Sequence, residues 1–203
     1  MKFLMKFVCF ALIAGALLWS ATVVADSVLL HESVVRLHVV PNSDSDDDQA
    51  LKLKVRDAVI ERLQSVMASL PTAEEAKAYL QNNLEEIRQL ANRVLAEAGS
   101  KDQAEVTLQE ECFDFRQYDT FALPAGVYDA LRITIGEGQG KNWWCVVFPT
   151  LCAGATSQDF TDTAAGSGFG DNLTGALKQE KGYEVRFYFL DLLGKVQKFF
   201  FGK

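Results

Sequence analysis

The sequence predicts an α+β fold: one domain in which a mainly antiparallel sheet is packed by an N-terminal two-helix hairpin. Three observations carry that prediction. Along Val127–Ile135, Val127, Leu131, Ile133 and Ile135 alternate with Tyr128, Ala130, Arg132 and Thr134, the period of a half-buried strand. The next run, Asn142–Phe148, is apolar on both faces. Such a strand is either covered on both sides or shows an aromatic face to a partner. Upstream, two helical stripes flank a lone proline, Pro71.

The chain begins with a segment unlike the rest. Lys2 and Lys6 precede the apolar run Phe7–Leu18, and Val23-Val24-Ala25 fits the small-residue rule for cleavage after Ala25. The run is short against the roughly 20 residues a bilayer-spanning helix needs. Residues 1–25 therefore read as a cleaved signal peptide, with an uncleaved anchor as the alternative because Trp19–Val24 prolongs the apolar stretch. The whole chain has 203 residues and a net charge of −7. Cleavage removes two lysines and no acid, so the mature chain is more acidic still. That balance excludes nucleic acid as a partner, since phosphate contacts need clustered Lys and Arg.

The globular domain is expected over 26–152 and 183–203. Asp26–Glu32 reads as a polar lead-in. Ser33–Val40 is a strand in which Val35, Leu37 and Val39 alternate with Arg36 and His38, ended by Pro41-Asn42-Ser43. Asp44, Asp46 and Asp48 fall at positions 1, 3 and 5 of a calcium loop. Gln49 and Val55 then stand where glycine and glutamate belong, so the acids read as the capped first turn of a helix. That helix runs from Asp47 to about Leu70, with Leu51, Val55, Val59, Leu63 and Val66 on one face. A second spans Thr72–Ala98, with Thr72 and Glu75 at capping-box spacing and Gly99 past its end.

Ala104–Glu110 alternates as a strand that Cys112–Phe115 can extend. Val127–Ile135 and Asn142–Phe148 follow as a hairpin, joined by the turn Gly136-Glu-Gly138-Gln-Gly140. Residues 153–182 are polar and glycine-rich and read as a loop or disordered insert. Tyr183–Leu190 reads as a last strand, with Val185, Phe187 and Phe189 on one face. Asp191–Lys203 reads as a short helix packed on the domain, with a membrane-surface or partner contact as the alternative.

Catalytic and ligand motifs are sparse. His31 and His38 belong to no metal-ligand spacing, and no Cys-x-x-Cys or His-Glu-x-x-His occurs. The glycine-rich turn ends Lys141-Asn142 and leads into a strand, unlike a phosphate loop. A Cys–His nucleophile pair would have to join Cys145 or Cys152 to His38, and an apolar strand raises a thiol's pKa. No metal, cofactor or catalytic residue is assigned, and a non-enzymatic exported domain is expected. Cys145 and Cys152 flank Pro149. They read as a disulfide of an exported chain, against two buried free thiols.

Two segments together resemble stage II sporulation protein R of endospore-forming bacteria: VVRLHVVPNSDSDDDQALKLKVRDAV and LPAGVYDALRITIGEGQGKNWWCVVFPTLC. The resemblance implies a signal made in the forespore and secreted across its membrane into the intermembrane space. There it activates a membrane-embedded aspartic protease of the mother cell, which processes the sigma factor E precursor. The catalytic aspartate would belong to that protease. An exported hydrolase or a structural spore-envelope domain is the competing reading. Under the signalling reading, Trp143 or Trp144 with Phe148 would anchor the partner, and Asn42 and Asp44 of the 42–48 loop would form a polar rim. The rival assignment places both tryptophans in the core.

Overall fold

The strand Val35–Val40 (β1) carries no exposed residue on either face, and the molecule is layered around it. The computed structural model describes residues 2–151 and 157–201. In chain order it runs α1 (Lys2–Ser33), β1, α2 (Asp46–Ser69), α3 (Ala73–Asn82), α4 (Leu84–Glu97) and β2 (Ala104–Phe113). There follow β3 (Arg116–Gln117), β4 (Ala122–Leu123), β5 (Gly126–Ile135), β6 (Trp143–Phe148), α5 (Ser157–Gly166), α6 (Asp171–Leu177) and α7 (Glu184–Phe201).

The fold is α+β with a mixed sheet of order β2-β5-β1-β6. β1 runs parallel to β5 and antiparallel to β6, and β2 runs antiparallel to β5. This corrects the expected β5–β6 hairpin. The alternation in each strand is as read, but β1 lies between them. Period-two patterning fixes which face a side chain takes and says nothing about which strand is the neighbour. β1 is apolar enough to occupy a central position, so the glycine-rich connection steps over its C-terminal end.

One sheet face is covered by α2–α4. Val55, Val59, Leu63 and Met67 of α2 meet Leu37, Val39, Leu131 and Ile133 of the sheet, with Ile87, Ala91 and Leu95 of α4 alongside. Local chemistry explains the helix limits. The Ser45 hydroxyl accepts from the Asp48 amide and the Thr72 hydroxyl from that of Glu75. Gly99 takes φ +79°, the left-handed stop after α4. In place of one helix over Thr72–Ala98 there are two, α3 and α4, which meet at Asn83. The expected two-helix hairpin is thus a three-helix layer.

The other face has its own core, built from segments that the sequence assigned elsewhere. Leu30 and Val34 beside α1, Phe160 of α5, Phe169, Leu173 and Leu177 near α6, and Phe187 and Leu190 of α7 pack with Phe113, Phe121, Tyr128 and Val146. Asp26–Glu32 is helical, continuous with the apolar leader in α1. Much of 153–182, read as a loop or insert, is helix: Phe160 stacks on Phe121 with ring centroids 4.7 Å apart.

Tyr183–Leu190 is helix as well, not strand. Its buried residues, Arg186, Phe187, Leu190, Asp191 and Gly194, recur at helical spacing. The Val185-Phe187-Phe189 alternation is incidental to that stripe. α7 is fixed on the sheet by polar bonds: the Ala125 amide donates to Asp191 Oδ1 at 2.8 Å and the Val127 amide to Gln197 Oε1 at 3.3 Å. Arg186 donates to Asp26 Oδ2 of α1 at 2.5 Å. Phe199, Phe200 and Phe201, expected to pack on the domain, are instead 82%, 71% and 74% exposed.

Gly194 is where α7 touches the backbone before β5. A Cβ built there would lie 1.5 Å from the Ala125 carbonyl oxygen, whereas one at Gly166 meets nothing within 4 Å. Gly194→Ala should therefore force α7 off the sheet and cost roughly 1–3 kcal/mol, as overpacking does. Gly166→Ala should be neutral or slightly stabilising, since alanine favours a helix. Urea unfolding of the two variants measures both.

Candidate functional site

Two features meet at β1: a polar clasp at its C-terminal end and an aromatic surface along its border with β6. The clasp joins the 42–48 turn to the 136–141 connection. The Glu137 amide donates to Asn42 Oδ1 at 3.0 Å and the Lys141 amide to Asp44 Oδ1 at 2.6 Å. The Gln139 and Gly140 amides donate to the carbonyls of Asn42 and Pro41. From α2, Lys52 Nζ donates to the Lys141 carbonyl at 2.8 Å, and burial lowers its pKa. Asp48 accepts from Ser43 Oγ and Asn42 Nδ2, and these bonds hold its carboxyl below the usual range. Gly140 permits the closeness, since a Cβ there would sit 2.1 Å from the Ser43 carbonyl oxygen. Asn42 and Asp44 are thus committed to an internal buckle. Among the described residues no group of three or more His, Cys, Asp or Glu side chains is placed to hold a metal ion.

On β6 the two tryptophans part to opposite faces, as neighbours on a strand must. Both are partly exposed. Trp143 joins the α2 side, with the Arg56 guanidinium 4.7 Å from its ring centroid. Trp144 stacks on the His38 ring at 3.9 Å and meets Phe113 edge-on at 5.0 Å. Arg116 approaches the Trp144 ring at 5.5 Å. Phe148 differs from both. The β1–β6 register slips between Val35 and Arg36, so the alternation breaks and Phe148 turns into the α2-side core, 5% exposed. It is not available as an anchor in this fold, which leaves the tryptophans as the accessible aromatic area. Cys145 is disulfide-bonded, Cys9 and Cys112 are free, and Cys152 lies outside the described residues.

Arg36 and His38, which alternate with the apolar residues of β1, are both buried, at 0% and 3% exposure. Arg36 lies over the Phe113 ring at 3.8 Å and donates from Nη2 to the Tyr118 hydroxyl at 3.0 Å. Its Nε and Nη1 have no hydrogen-bond partner among the described residues. Burial lowers its pKa, with the Tyr118 and Tyr128 hydroxyls opposing that effect. His38 Nδ1 lies 2.8 Å from Glu111 Oε2, and Arg132 Nη1 lies 3.2 Å from Glu111 Oε1. The signal that could have found them is an Arg-x-His set in a strand otherwise all Val and Leu. A strand with that composition is central, and a central strand has no outward face. His38 and Cys145 serve opposite cores: Trp144, stacked on His38, packs with the α1–α7 side, and Cys145 with the α2 side. A Cys145–His38 nucleophile pair is therefore not formed.

A family model described as stage II sporulation protein R matches residues 31–158. A curated relative named stage II sporulation protein R, from Bacillus subtilis (strain 168), is 37% identical over 125 residues. That match spans 62% of this chain and 56% of the relative. No solved structure matches the chain.

Two predictions follow from the clasp and from the buried carboxylate. Asp44→Ala should cost about 1 kcal/mol, the usual worth of a hydrogen bond, and Gly140→Ala more, because the turn must open. Denaturant midpoints of both variants give the comparison. Burial pushes the Glu111 carboxyl up, but the His38 bond and the His38 and Arg132 charges outweigh it, so its folded pKa is lowered. A lowered folded value adds stability above the ordinary carboxylate pKa and loses it as pH falls through the folded one. Glu111→Gln should thus be less stable at neutral pH and lose less stability on acidification, as read from urea unfolding across pH.

Proposed function

Because the chain belongs to the stage II sporulation protein R family, we propose that it is the forespore-to-mother-cell signal of endospore formation. It crosses the forespore membrane and activates a membrane-embedded aspartic protease, which processes the sigma factor E precursor. A sporulation role is carried by the family match itself, which covers residues 31–158 and so the whole sheet and the α2–α4 layer. The apolar start of α1 fits a signal peptide or an anchor.

Mechanistically, a protein activator shifts its receptor only by binding one state more tightly than the other. Aromatic area at a sheet border supplies such differential contact. β6 is an edge strand of the four-stranded sheet, with Trp143 and Trp144 partly exposed on its two faces. In this reading they are the anchors, the clasp holds the border rigid, and Phe148 acts through packing. Cys145 and Cys152 pair to brace the end of β6.

Purified chain added to cells carrying the protease and the precursor tests the proposal. Wild type should elicit cleavage. Trp143→Ala should weaken receptor binding by at least about 2 kcal/mol, roughly thirtyfold, as loss of a hot spot does, with thermal unfolding little changed. Trp144→Ala should lower stability as well, because it uncovers the His38 ring. Full cleavage with both variants, or turnover of a substrate by the chain alone, would refute the reading.

A further inference from the structure

The outer face of α7 is largely left uncovered by the described chain. Tyr188, Phe189, Leu192, Val196, Phe199 and Phe200 are exposed along it, opposite the buried stripe that ends at Gly194. An apolar helical face of this size calls for an occupant. We propose that the occupant is an anionic lipid bilayer, on which α7 lies as an interfacial helix.

Three observations favour lipid over protein. First, the face adjoins a surface that already suits hydrocarbon. α1 is apolar over most of its length and little of it is buried, with Phe, Leu and Ile side chains exposed along it. Trp19 of α1 contacts Phe189 of α7 edge-to-face at 5.2 Å, so the two apolar surfaces join. Second, this end is free of the acidic excess of the rest of the chain. From residue 183 onward, Arg186, Lys195, Lys198 and Lys203 stand against Glu184 and Asp191, with Arg186 paired to Asp26, Lys195 to Asp191 and Lys198 to Asp114. Anionic headgroups would repel the remainder more than this end, which restricts the contact to one face. Third, the composition is that of an interfacial helix. Phe and Leu form one side, Lys195 projects at its margin, and Trp19 and Tyr188 bring the amphipathic rings that settle at the headgroup boundary.

The inference does not require the leader to stay attached. Cleavage after Ala25 would remove Trp19 from Phe189 and so uncover more of the apolar face of α7. α7 would then be the chain's own means of staying at the membrane. The proposal is also independent of the receptor, and its test contains none.

The full chain, with Cys9→Ser and Cys112→Ser, is labelled with an environment-sensitive fluorophore through Val196→Cys. It is then reconstituted into phosphatidylcholine–phosphatidylglycerol vesicles. Leu12→Cys in α1 serves as the inserted control and Glu97→Cys at the end of α4 as the water-exposed control. Phe200→Cys is a second probe in case the label at 196 disturbs folding, which thermal unfolding reports. Probes at 196 and 200 should shift to the blue and be quenched by lipids brominated on the acyl chain, as at 12 and unlike at 97. Replacing phosphatidylglycerol with phosphatidylcholine should weaken that quenching. If positions 196 and 200 remain open to aqueous iodide while position 12 is lipid-quenched, the proposal fails. Shielding from iodide without lipid quenching would point to a second copy on this face, and overturns it equally.

Discussion

Everything in this fold hangs on the insertion of β1 between β5 and β6. A strand so placed has both edges hydrogen-bonded and both faces buried. The chain must therefore supply an apolar layer on each side and a route around the end of β1. The first layer, α2–α4, follows directly in sequence. The second is assembled from the two extremities, α1 and α7, together with α5 and α6. The route around β1 is the glycine-rich connection, and its contact with the 42–48 turn is the clasp. One topological choice thus explains the second core, the close approach at Gly140 and the helical state of the C-terminal segment.

The same choice explains a costly buried side chain. Arg36 is buried among Phe113, Tyr118 and Tyr128, with no carboxylate paired to it among the described residues. Aromatic faces and one hydroxyl offset part of the desolvation of a cation and leave two nitrogens unsatisfied. His38, two residues on, is treated differently. It has a carboxylate in Glu111 and a tryptophan stacked on its ring. Through His38, β1 couples the exposed border at Trp144 to strand β2 on the far side of the sheet. A disturbance of Trp144 by a partner would therefore be felt three strands away, through packed side chains and one charged hydrogen bond.

The aromatic border and the outer face of α7 are proposed to take different tasks. The border is rigid, since β6 is paired along β1 and the clasp locks the connection that leads into it. α7 is held at its inner face by Gly194, Asp191 and Gln197 and offers its outer face freely. If the proposed recognition edge and the proposed lipid contact are both in use, they would together suit a domain that meets a membrane-embedded partner. Docking from the bilayer surface limits the orientations to be searched and lowers the entropic cost of association.

Local pattern was enough to determine β1, β2, β5 and β6, the stripes of α2 and α4, the Thr72 cap and the stop at Gly99, because each depends on neighbours within a turn or two of chain. The motif pair around Asn42–Gln49 and Trp143–Cys145 likewise carried the family. Tertiary structure alone decided the strand order, the burial of Arg36, His38 and Phe148, and the helical state of Asp26–Glu32, Ser157–Gly166 and Tyr183–Leu190. Period-two and period-3.6 patterns both leave open which surface lies opposite, and short aromatic runs satisfy either. Phe187 and Leu190 face inward because a sheet surface waits there, and the distant chain that builds that surface is invisible to any local reading.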